Sequence, residues 1–489
     1  DLMFTKSWQF EKQMQDAQSY AEWQKAAIAY DIAMGFDLWK QSDESKHYDY
    51  ASIRKRLAEL RKLRRKKDNE GLLYTLNEGI HGNMSGMGHG RLYSKARFGT
   101  KQVISDYIEE IASALEHLAR KQVRSISEEE KLDFFRRASQ CFGRTALMLS
   151  GAGTLLYFHL GVVKALWEQN LLPTIISGSS GGSIVAALVG THSRREVKKL
   201  FDPNYLDHEI EKDVSFLNKL SPFKNKRVPI AEVRRLLERL IPDLTFHEAY
   251  KLTGIQINIS VAPAERHQSS RLLNAVTSPN VMIREAVLAS CAIPGFYPAV
   301  TLAARDTDGS RKPYLPSRKW IDGSVSEDLP IRRLSRLYGV NHTIASQTNP
   351  LVYPFINDAK EQKNSWEIIK QASLKTSREW TLAASKLVKR NLHFSPTITN
   401  FVTRVESIAS QSYTGDITIL PPSRLFNPLQ LLSTRTKEEV LQMIHDGEHS
   451  AWQKIETIRL QTHIGRTLDK ILDKRDQGSY HDAIKLRAV

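Results

Sequence analysis

The pentapeptide Gly178-Ser179-Ser180-Gly181-Gly182 follows directly on the apolar run Thr174-Ile175-Ile176-Ser177, and no other feature constrains this chain as much. A strand that ends in G-x-S-x-G and passes at once into an apolar helix, here Ser180–Val189, has to turn a very tight corner. Glycines allow the corner because no Cβ obstructs the backbone. The serine at its apex is lifted clear of the sheet, and the helix N-terminus aims its dipole at that hydroxyl. Such a junction is a candidate nucleophile elbow, with Ser180 as nucleophile and Gly178 and Gly182 permitting the bend. An ordinary Gly/Ser loop is the competing reading of the pentapeptide taken alone.

The surrounding pattern is α/β. Thr145–Leu149 reads as a strand, Ser150-Gly151-Ala152-Gly153-Thr154 as a glycine-rich turn, and Leu155–Gln169 as a helix that leads past Pro173 to the strand before the elbow. Strand, helix, strand and helix at this spacing imply a parallel sheet with helical crossovers. Gly254–Pro263, Leu272–Val276 and His342–Gln347 add strand candidates, and Val281–Ser290 reads as a helix ended by Pro294 and Gly295. Arg194–Leu240 is a basic, mostly helical insertion.

Residues 1–140 are polar and helical, with packing stripes at Trp23, Ala26, Ala27, Tyr30 and Ala33 and at Ile104, Tyr107, Ile108, Ile111 and Leu115. The loop His81–Gly90 is a candidate lid or docking turn. The last 140 residues carry two long helical stretches. In Trp366–Leu387 the apolar stripe is expected to pack on the sheet domain, with a membrane-facing role as the alternative, and Lys437–Lys474 is expected to break near Gly447 and Gly465. The tail after Asp473 reads as polar and disordered. The expected domains are 1–140, helical and accessory; 141–350, catalytic; and 351–489, mainly helical and completing or packing on the catalytic domain.

A chain of 489 residues, 41% hydrophobic and 25% charged, is globular and long enough for two or more domains. Its only cysteines, Cys141 and Cys291, exclude a disulfide scaffold and favour a reduced intracellular setting. No window approaches 18 uninterrupted apolar residues, and no signal-peptide apolar region opens the chain. Because the first residue is Asp1, prior removal of a leader stays open.

The net charge of +16 suggests an anionic partner, phospholipid headgroups or nucleic acid. It is densest in Arg54–Lys67, where nine of 14 residues are Lys or Arg and Ile53, Leu57, Leu60 and Leu63 form a helical stripe. That segment is either the solvated face of a packed helix or a basic amphipathic membrane-binding helix. Nucleic acid is not expected, since no zinc-finger spacing, RNP-like motif or aromatic interleaving accompanies the charge.

Acyl transfer needs a nucleophile, a base and donors for an oxyanion. Beside Ser180, the Gly181 N–H at the helix N-terminus supplies one donor, and the turn Gly151, Ala152, Gly153 can supply others. A phosphate-binding role for that turn lacks the Lys-Ser/Thr of a P-loop. Trp320-Ile321-Asp322-Gly323-Ser324 places an acid on a short apolar run before a glycine turn. A desolvated Asp322 close to Ser180 can act as base without histidine. A triad in the chain order Ser180, Asp322, His342 is the alternative. His247-Glu248 lacks a second histidine, so neither a metal nor another cofactor is expected.

Ser150–Gly161, Gly178–Gly182, Ala289-Ser290-Cys291-Ala292-Ile293-Pro294 and Asp322-Gly323 stand in the order seen in patatin-like phospholipases, and the chain resembles that family. Asp322-Gly323-Ser324-Val325, Asp328-Leu329-Pro330, Val340-Asn341-His342 and Ser346-Gln347-Thr348-Asn349-Pro350 look like the subgroup of intracellular triacylglycerol lipases of yeast and plant seeds and their bacterial relatives. Glu22-Trp23, Tyr48-Asp49-Tyr50, Arg91-Leu92-Tyr93-Ser94 and Gly99-Thr100-Lys101 resemble that subgroup's N-terminal accessory domain, so the likeness runs from about residue 20 to about 425.

The resemblance implies a patatin-type three-layer α/β/α sandwich and a Ser180–Asp322 dyad without a catalytic histidine. It also implies an oxyanion hole at the Gly151–Thr154 turn and hydrolysis of lipid acyl esters. Two departures stand out. Leu156 occupies the place where the common turn pattern ends in glycine, and Asp322-Gly323-Ser324 replaces Asp-Gly-Gly or Asp-Gly-Ala.

The expected activity is therefore a serine lipid acyl hydrolase, with a transacylase or a catalytically silent lipid-binding scaffold as alternatives. Its expected partners are a glycerolipid or phospholipid substrate, an anionic membrane or lipid-droplet surface and, as an option, a second copy in a homodimer. The expected location is cytoplasmic, peripherally attached to membrane or lipid droplet.

Overall fold

The structure, a computed structural model, describes residues 2–206, 208, 209, 212, 230–265, 269–294, 297–325, 327–349, 414–422 and 435–487. The chain divides into two compact units, Asp1–Arg144 with Trp452–Val489, and Thr145–Ala451. The expected helix Trp366–Leu387, and Gly295 at the expected helix stop, lie outside the described residues.

The first unit is helical: α1 (Leu2–Asp16), α2 (Tyr20–Ala33), α3 (Phe36–Gln41), α4 (Tyr50–Lys66), α5 (Asn69–Asn77), α6 (Arg91–Ser94), α7 (Gln102–Leu118) and α8 (Glu128–Phe142). Ser19, Asp49, Asp68 and Ser127 start α2, α4, α5 and α8 by accepting an N–H from the first helical turn. The stripes predicted on α7 and α4 are both inside: Ile104, Tyr107 and Leu115 pack with Ile53, Leu57, Leu60 and Leu63 in one core.

Burial of the α4 stripe corrects the amphipathic-helix expectation, because no apolar face is left for a membrane. Part of its basic face is paired within the unit, by Arg54–Asp43 at 2.6 Å and Arg64–Glu110 at 2.6 Å. The loop 81–90 packs on the segment before α4. The Ser85 carbonyl accepts the Asp49 N–H at 2.8 Å, His89 stacks on His47, and Met87 is buried.

Among the described residues the second unit is built on a seven-stranded sheet. Its strands are β1 (Arg144–Leu149), β2 (Ile175–Gly178), β3 (Gln256–Pro263), β4 (Arg271–Leu273), β7 (Trp320–Asp322), β8 (Val340–Ser346) and β9 (Ile417–Ile419); β5 (Leu302–Arg305) and β6 (Arg311–Tyr314) pair separately. The order is β4-β3-β2-β1-β8-β9, with β7 also on β3. β1, β2 and β3 are parallel, as the helical crossovers α9 (Leu156–Glu168) and α10 (Gly181–Gly190) require, whereas β4 and β7 run antiparallel to β3.

Also described are α11 (Arg194–Leu200), α12 (Ile230–Leu240), α13 (Phe246–Thr253), α14 (Ile283–Ser290), α15 (Ile331–Tyr338) and α16 (Lys437–Arg487). Strand register assigns the two faces. Ala146, Met148, Ile175 and Leu272 share one face and form a cluster with Leu334 of α15. Ile257 lies on the other face, where Gly190 of α10 leaves no room for a Cβ against it. Helices on both faces make the three-layer α/β/α sandwich expected from the sequence.

Three expectations are corrected. The strand predicted at Leu272–Val276 stops at Leu273, because the Asn274 side chain accepts the N–H groups of Val276 and Thr277 and turns the chain. Helix α16 runs unbroken through Gly447 and Gly465. Those glycines permit close packing: a Cβ on Gly447 would run into the Phe158 carbonyl, and one on Gly465 would lie 3.0 Å from the Phe142 ring. The segment after Asp473 is not disordered but continues α16 to Arg487, held by Arg475, which bonds Glu128 at 2.5 Å and the Ala119 carbonyl at 3.3 Å.

Candidate active site

β2 ends at Gly178, and the chain turns sharply at Ser179-Ser180 into α10. Ser180 sits at φ 50°, ψ −124°, outside the ordinary L-residue regions, at a cost of about 1–3 kcal/mol. Both flanking glycines are sterically required. A Cβ on Gly178 would strike the Gly182 carbonyl, and one on Gly182 would lie 2.5 Å from the carbonyl oxygens of Leu149 and Ser150. The strained turn is clamped from below. The Ser290 hydroxyl accepts the Ser180 N–H at 2.9 Å and donates to the Ser260 carbonyl at 2.7 Å, while the Ser183 hydroxyl donates to the Ser180 carbonyl at 2.6 Å.

β3 brings the acid alongside. One edge of β3 pairs with β2 as far as Ile259↔Gly178, where β2 bends away, and β7 then takes up that edge from Val261↔Asp322 onward. Two residues of strand separate the two registers, about 7 Å. Gly323 lets the chain leave β7 flat against β3, since a Cβ there would strike the Ser260 backbone.

Ser180 and Asp322 are both buried, and Asp322 Oδ1 accepts the Ser324 N–H at 2.8 Å, while the nearby Ser324 and Ser180 side chains also favour its charged form. Burial outweighs these effects and pushes Asp322 up to about 6. The neighbouring Cys291 thiol is pushed up to about 12 by burial and by Asp322, so it stays protonated.

The glycine turn closes the site. Gly153 has φ 52°, a value suited to glycine, and a Cβ on Gly181 would lie 2.9 Å from the Gly153 carbonyl and 3.1 Å from the Ala152 Cβ. Turn and elbow therefore touch. The N–H groups of Ala152, Gly153 and Gly181 have no acceptor among the described residues, and Thr154 continues the same short 3₁₀ turn. The Gly151 N–H instead donates to Asp328 Oδ1 at 2.7 Å, so Gly151 anchors the turn. At Leu156, φ −51° and ψ −29° are ordinary helical values, and the position needs no glycine.

Three supporting residues carried no assigned role in the sequence. Asp328 is buried, accepts from Gly151 and from the Asn349 side chain (3.3 Å), and takes the Ser179 hydroxyl on its carbonyl at 3.2 Å. Burial, and to a lesser degree Asp322, push it up to about 7. His159 contacts the Ser150 carbonyl at 2.9 Å and the Ser346 hydroxyl at 2.8 Å, and burial lowers it to about 4, leaving a neutral ring. Ser290 is the third. Each lies in a segment that carries the family resemblance, Ser150–Gly161, Ala289–Pro294 and Asp328-Leu329-Pro330, but nothing in those segments assigns it a role. His342 is not brought to Ser180. It meets Thr145 Oγ1 at 3.0 Å near the start of β8, whereas the site borders Ser346 at the other end, four residues or about 13 Å away.

Residues 4–140 match a domain of unknown function (DUF3336), and residues 147–335 match the patatin-like phospholipase domain. Triacylglycerol lipase 4 of Saccharomyces cerevisiae is 36% identical to this chain, over 94% of the chain and 52% of that protein. A triacylglycerol lipase of Schizosaccharomyces pombe is 32% identical, over 91% of this chain and 93% of its own. A patatin-like phospholipase domain-containing protein of Neosartorya fischeri is 31% identical, over 95% and 71%. The chain spans about half the length of several curated relatives that it matches. With the elbow, the paired acid strand and these matches together, the chain belongs to the patatin-like phospholipase family.

Proposed function

We propose that this protein is a serine lipid acyl hydrolase that cleaves fatty-acyl esters of glycerolipids, triacylglycerol among them. The observation that carries this reading is the placement of the strained Ser180 beside the buried Asp322 carboxylate and a turn with unused N–H groups. Ser180 Oγ attacks the ester carbonyl and passes its proton to Asp322. The N–H groups of Gly181, Ala152 and Gly153 receive the negative charge that develops on the carbonyl oxygen. Asp322 returns the proton to the departing alcohol, leaving an acyl ester on Ser180. Water, deprotonated by Asp322, then attacks that ester, and Asp322 returns the proton to Ser180 Oγ as the fatty acid leaves.

In this reading the sheet unit supplies the chemistry and the N-terminal helical domain is accessory. The names of the relatives favour triacylglycerol as substrate, which requires access to a lipid surface.

The first test is hydrolysis of a soluble short-chain ester. Ser180→Ala is expected to lower kcat at least about 10³-fold and Asp322→Asn about 10²–10⁴-fold. His342→Ala should stay within about twofold of wild type, because its ring is distant from the elbow. A dead but folded His342→Ala would make the site a triad, and a wild type inert toward all esters would favour a lipid-binding scaffold.

The base must be ionised to work, and its value lies near 6, so activity is lost as pH falls. The kcat/KM profile is expected to be level at high pH and to drop about tenfold per unit below about pH 6. A rate unchanged down to pH 5 would exclude Asp322 as base.

Asp328 is a positioning residue in this scheme. Asp328→Ala is expected to lower kcat about 10²-fold with KM little changed, through displacement of the oxyanion turn. Asp328→Asn should recover most of that loss, since its amide oxygen still accepts the Gly151 N–H. Equal losses in the two variants, or a change in KM alone, would contradict the assignment.

A further inference from the structure

Among the described residues β4 ends the sheet order, and a cavity of about 370 Å³ lies between it, the turn that follows and α15. Arg271, Arg333 and Arg336 line this cavity together with Leu273, Leu337 and Ser278. Arg333 and Arg336 are three residues apart on α15 and share a face. The acyl-transfer site is elsewhere. Val261 of β3 pairs with Arg271 on one edge and with Asp322 on the other, so the two backbones are about 10 Å apart across the sheet.

The cavity carries more positive charge than its surroundings balance. Arg333 is held by Glu327 at 3.0 Å and by the Ser270 hydroxyl at 3.1 Å. Arg271 lies over the Trp320 ring at 5.6 Å and has no acid partner among the described residues. Arg336 has neither an ion pair nor a hydrogen bond among them. Other acids are committed or distant. Residues 274–282 and α15 contain none, Asp328 is taken by Gly151 and Asn349, and Glu285 is paired with Arg234 and Arg311. Glu265 lies four residues past Val261, about 13 Å along an extended chain. Three arginines against Glu327 leave two positive charges uncompensated.

The strand edge adds a donor and no acceptor. The Gln256 N–H donates to the Thr174 carbonyl at 2.7 Å, so the even-numbered backbone groups of β3 face β2. Ser260 therefore faces away from β4, and its partner Leu272 turns both its N–H and its C=O to the open edge. That C=O already accepts the Asn274 amide at 3.1 Å and the Thr277 hydroxyl at 3.3 Å. The Leu272 N–H has no acceptor among the described residues, and the Ser278 hydroxyl has no hydrogen-bond partner among them. An added peptide strand would need the carbonyl as well as the N–H, so the edge suits a ligand built of acceptors. Two free guanidinium groups call for a dianion, and a phosphomonoester carries about that charge.

We propose that this cavity binds a phosphomonoester. Arg271 and Arg336 hold the phosphate, the Leu272 N–H and the Ser278 hydroxyl add neutral donors, and Leu273 and Leu337 flank the ester carbon. The same group arrives either on a small soluble ester or on a lipid headgroup. The inference goes beyond the hydrolase reading and does not rest on it.

The test is calorimetric titration of the full chain with glycerol 3-phosphate and, at equal ionic strength, with acetate. Sedimentation with phosphatidylcholine vesicles carrying phosphatidate or phosphatidylserine forms the second arm. In one arm or both, the phosphomonoester is expected to bind at least about tenfold tighter than the monoanionic probe. Arg271→Gln and Arg336→Gln should each weaken that binding at least about tenfold, the worth of one charge-assisted hydrogen bond. Arg332→Gln, exposed on α15 and outside the cavity lining, is the control and should bind as wild type. Hydrolysis of a soluble short-chain ester without phosphate should stay within about twofold of wild type in all three variants.

Binding of glycerol 3-phosphate that both arginine variants weaken upholds the site for a soluble ester. Binding confined to phosphatidate vesicles, and lost in the same variants, upholds it for a headgroup. Acetate and phosphatidylserine bound as well as the phosphomonoesters, variants that bind as wild type, or no binding in either arm overturns it. A wild type inert toward every ester that still binds phosphate through these arginines overturns the hydrolase and leaves the site standing.

Discussion

The arrangement depends on one shared strand edge. β3 offers the same row of N–H and C=O groups first to β2 and then to β7, and the hand-over falls between Ile259 and Val261. The elbow leaves β2 at the place where β7 begins, so Ser180 and Asp322, 142 residues apart in sequence, reach one site through backbone pairing alone. The glycines at 178, 182 and 323 follow from the same crowding, since each stands where two backbones approach too closely for a Cβ. Side chains then refine what the backbone has placed. Ser290 ties the elbow to β3, and Asp328 ties the glycine turn to the loop after β7.

Burial gives the site its chemistry. A carboxylate in water is a poor base for a serine hydroxyl, and removing solvent raises its basicity. Asp322 is raised to about 6 in this way and remains largely ionised near neutrality, so it can accept a proton without a histidine relay. The neutral His159 behind the glycine turn and the protonated Cys291 beside the elbow add no competing charge. Strain at Ser180 is held in place by bonds from Ser290 and Ser183 rather than relieved.

Features encoded in short segments were legible in the sequence. The elbow, the glycine turn and Asp322-Gly323 each announce a local backbone demand, and the spacing of strands and helices implied parallel pairing. Features created by distant chain segments were not legible. Nothing near Asp328 says that its carboxylate will cap Gly151, 177 positions earlier. The glycines of α16 look like helix breaks in isolation and become contact points only once Phe158 and Phe142 lie against them. Leu156 looked like a flaw in the turn pattern because a pattern does not reveal φ and ψ. For α4, composition allowed two solutions, and the neighbouring helices selected the buried one.

The central claim is that Ser180, Asp322 and the two adjoining turns form one acyl-transfer site. A crystal structure of the protein after reaction with an alkyl phosphonate ester, which mimics the tetrahedral intermediate, tests it most directly. The account predicts phosphorus bonded to Ser180 Oγ, with the phosphonyl oxygen taking hydrogen bonds from Gly181 N–H and from Ala152 or Gly153 N–H, and with Asp322 beside Oγ. Phosphorus on another residue, or a phosphonyl oxygen turned away from those N–H groups, would contradict it.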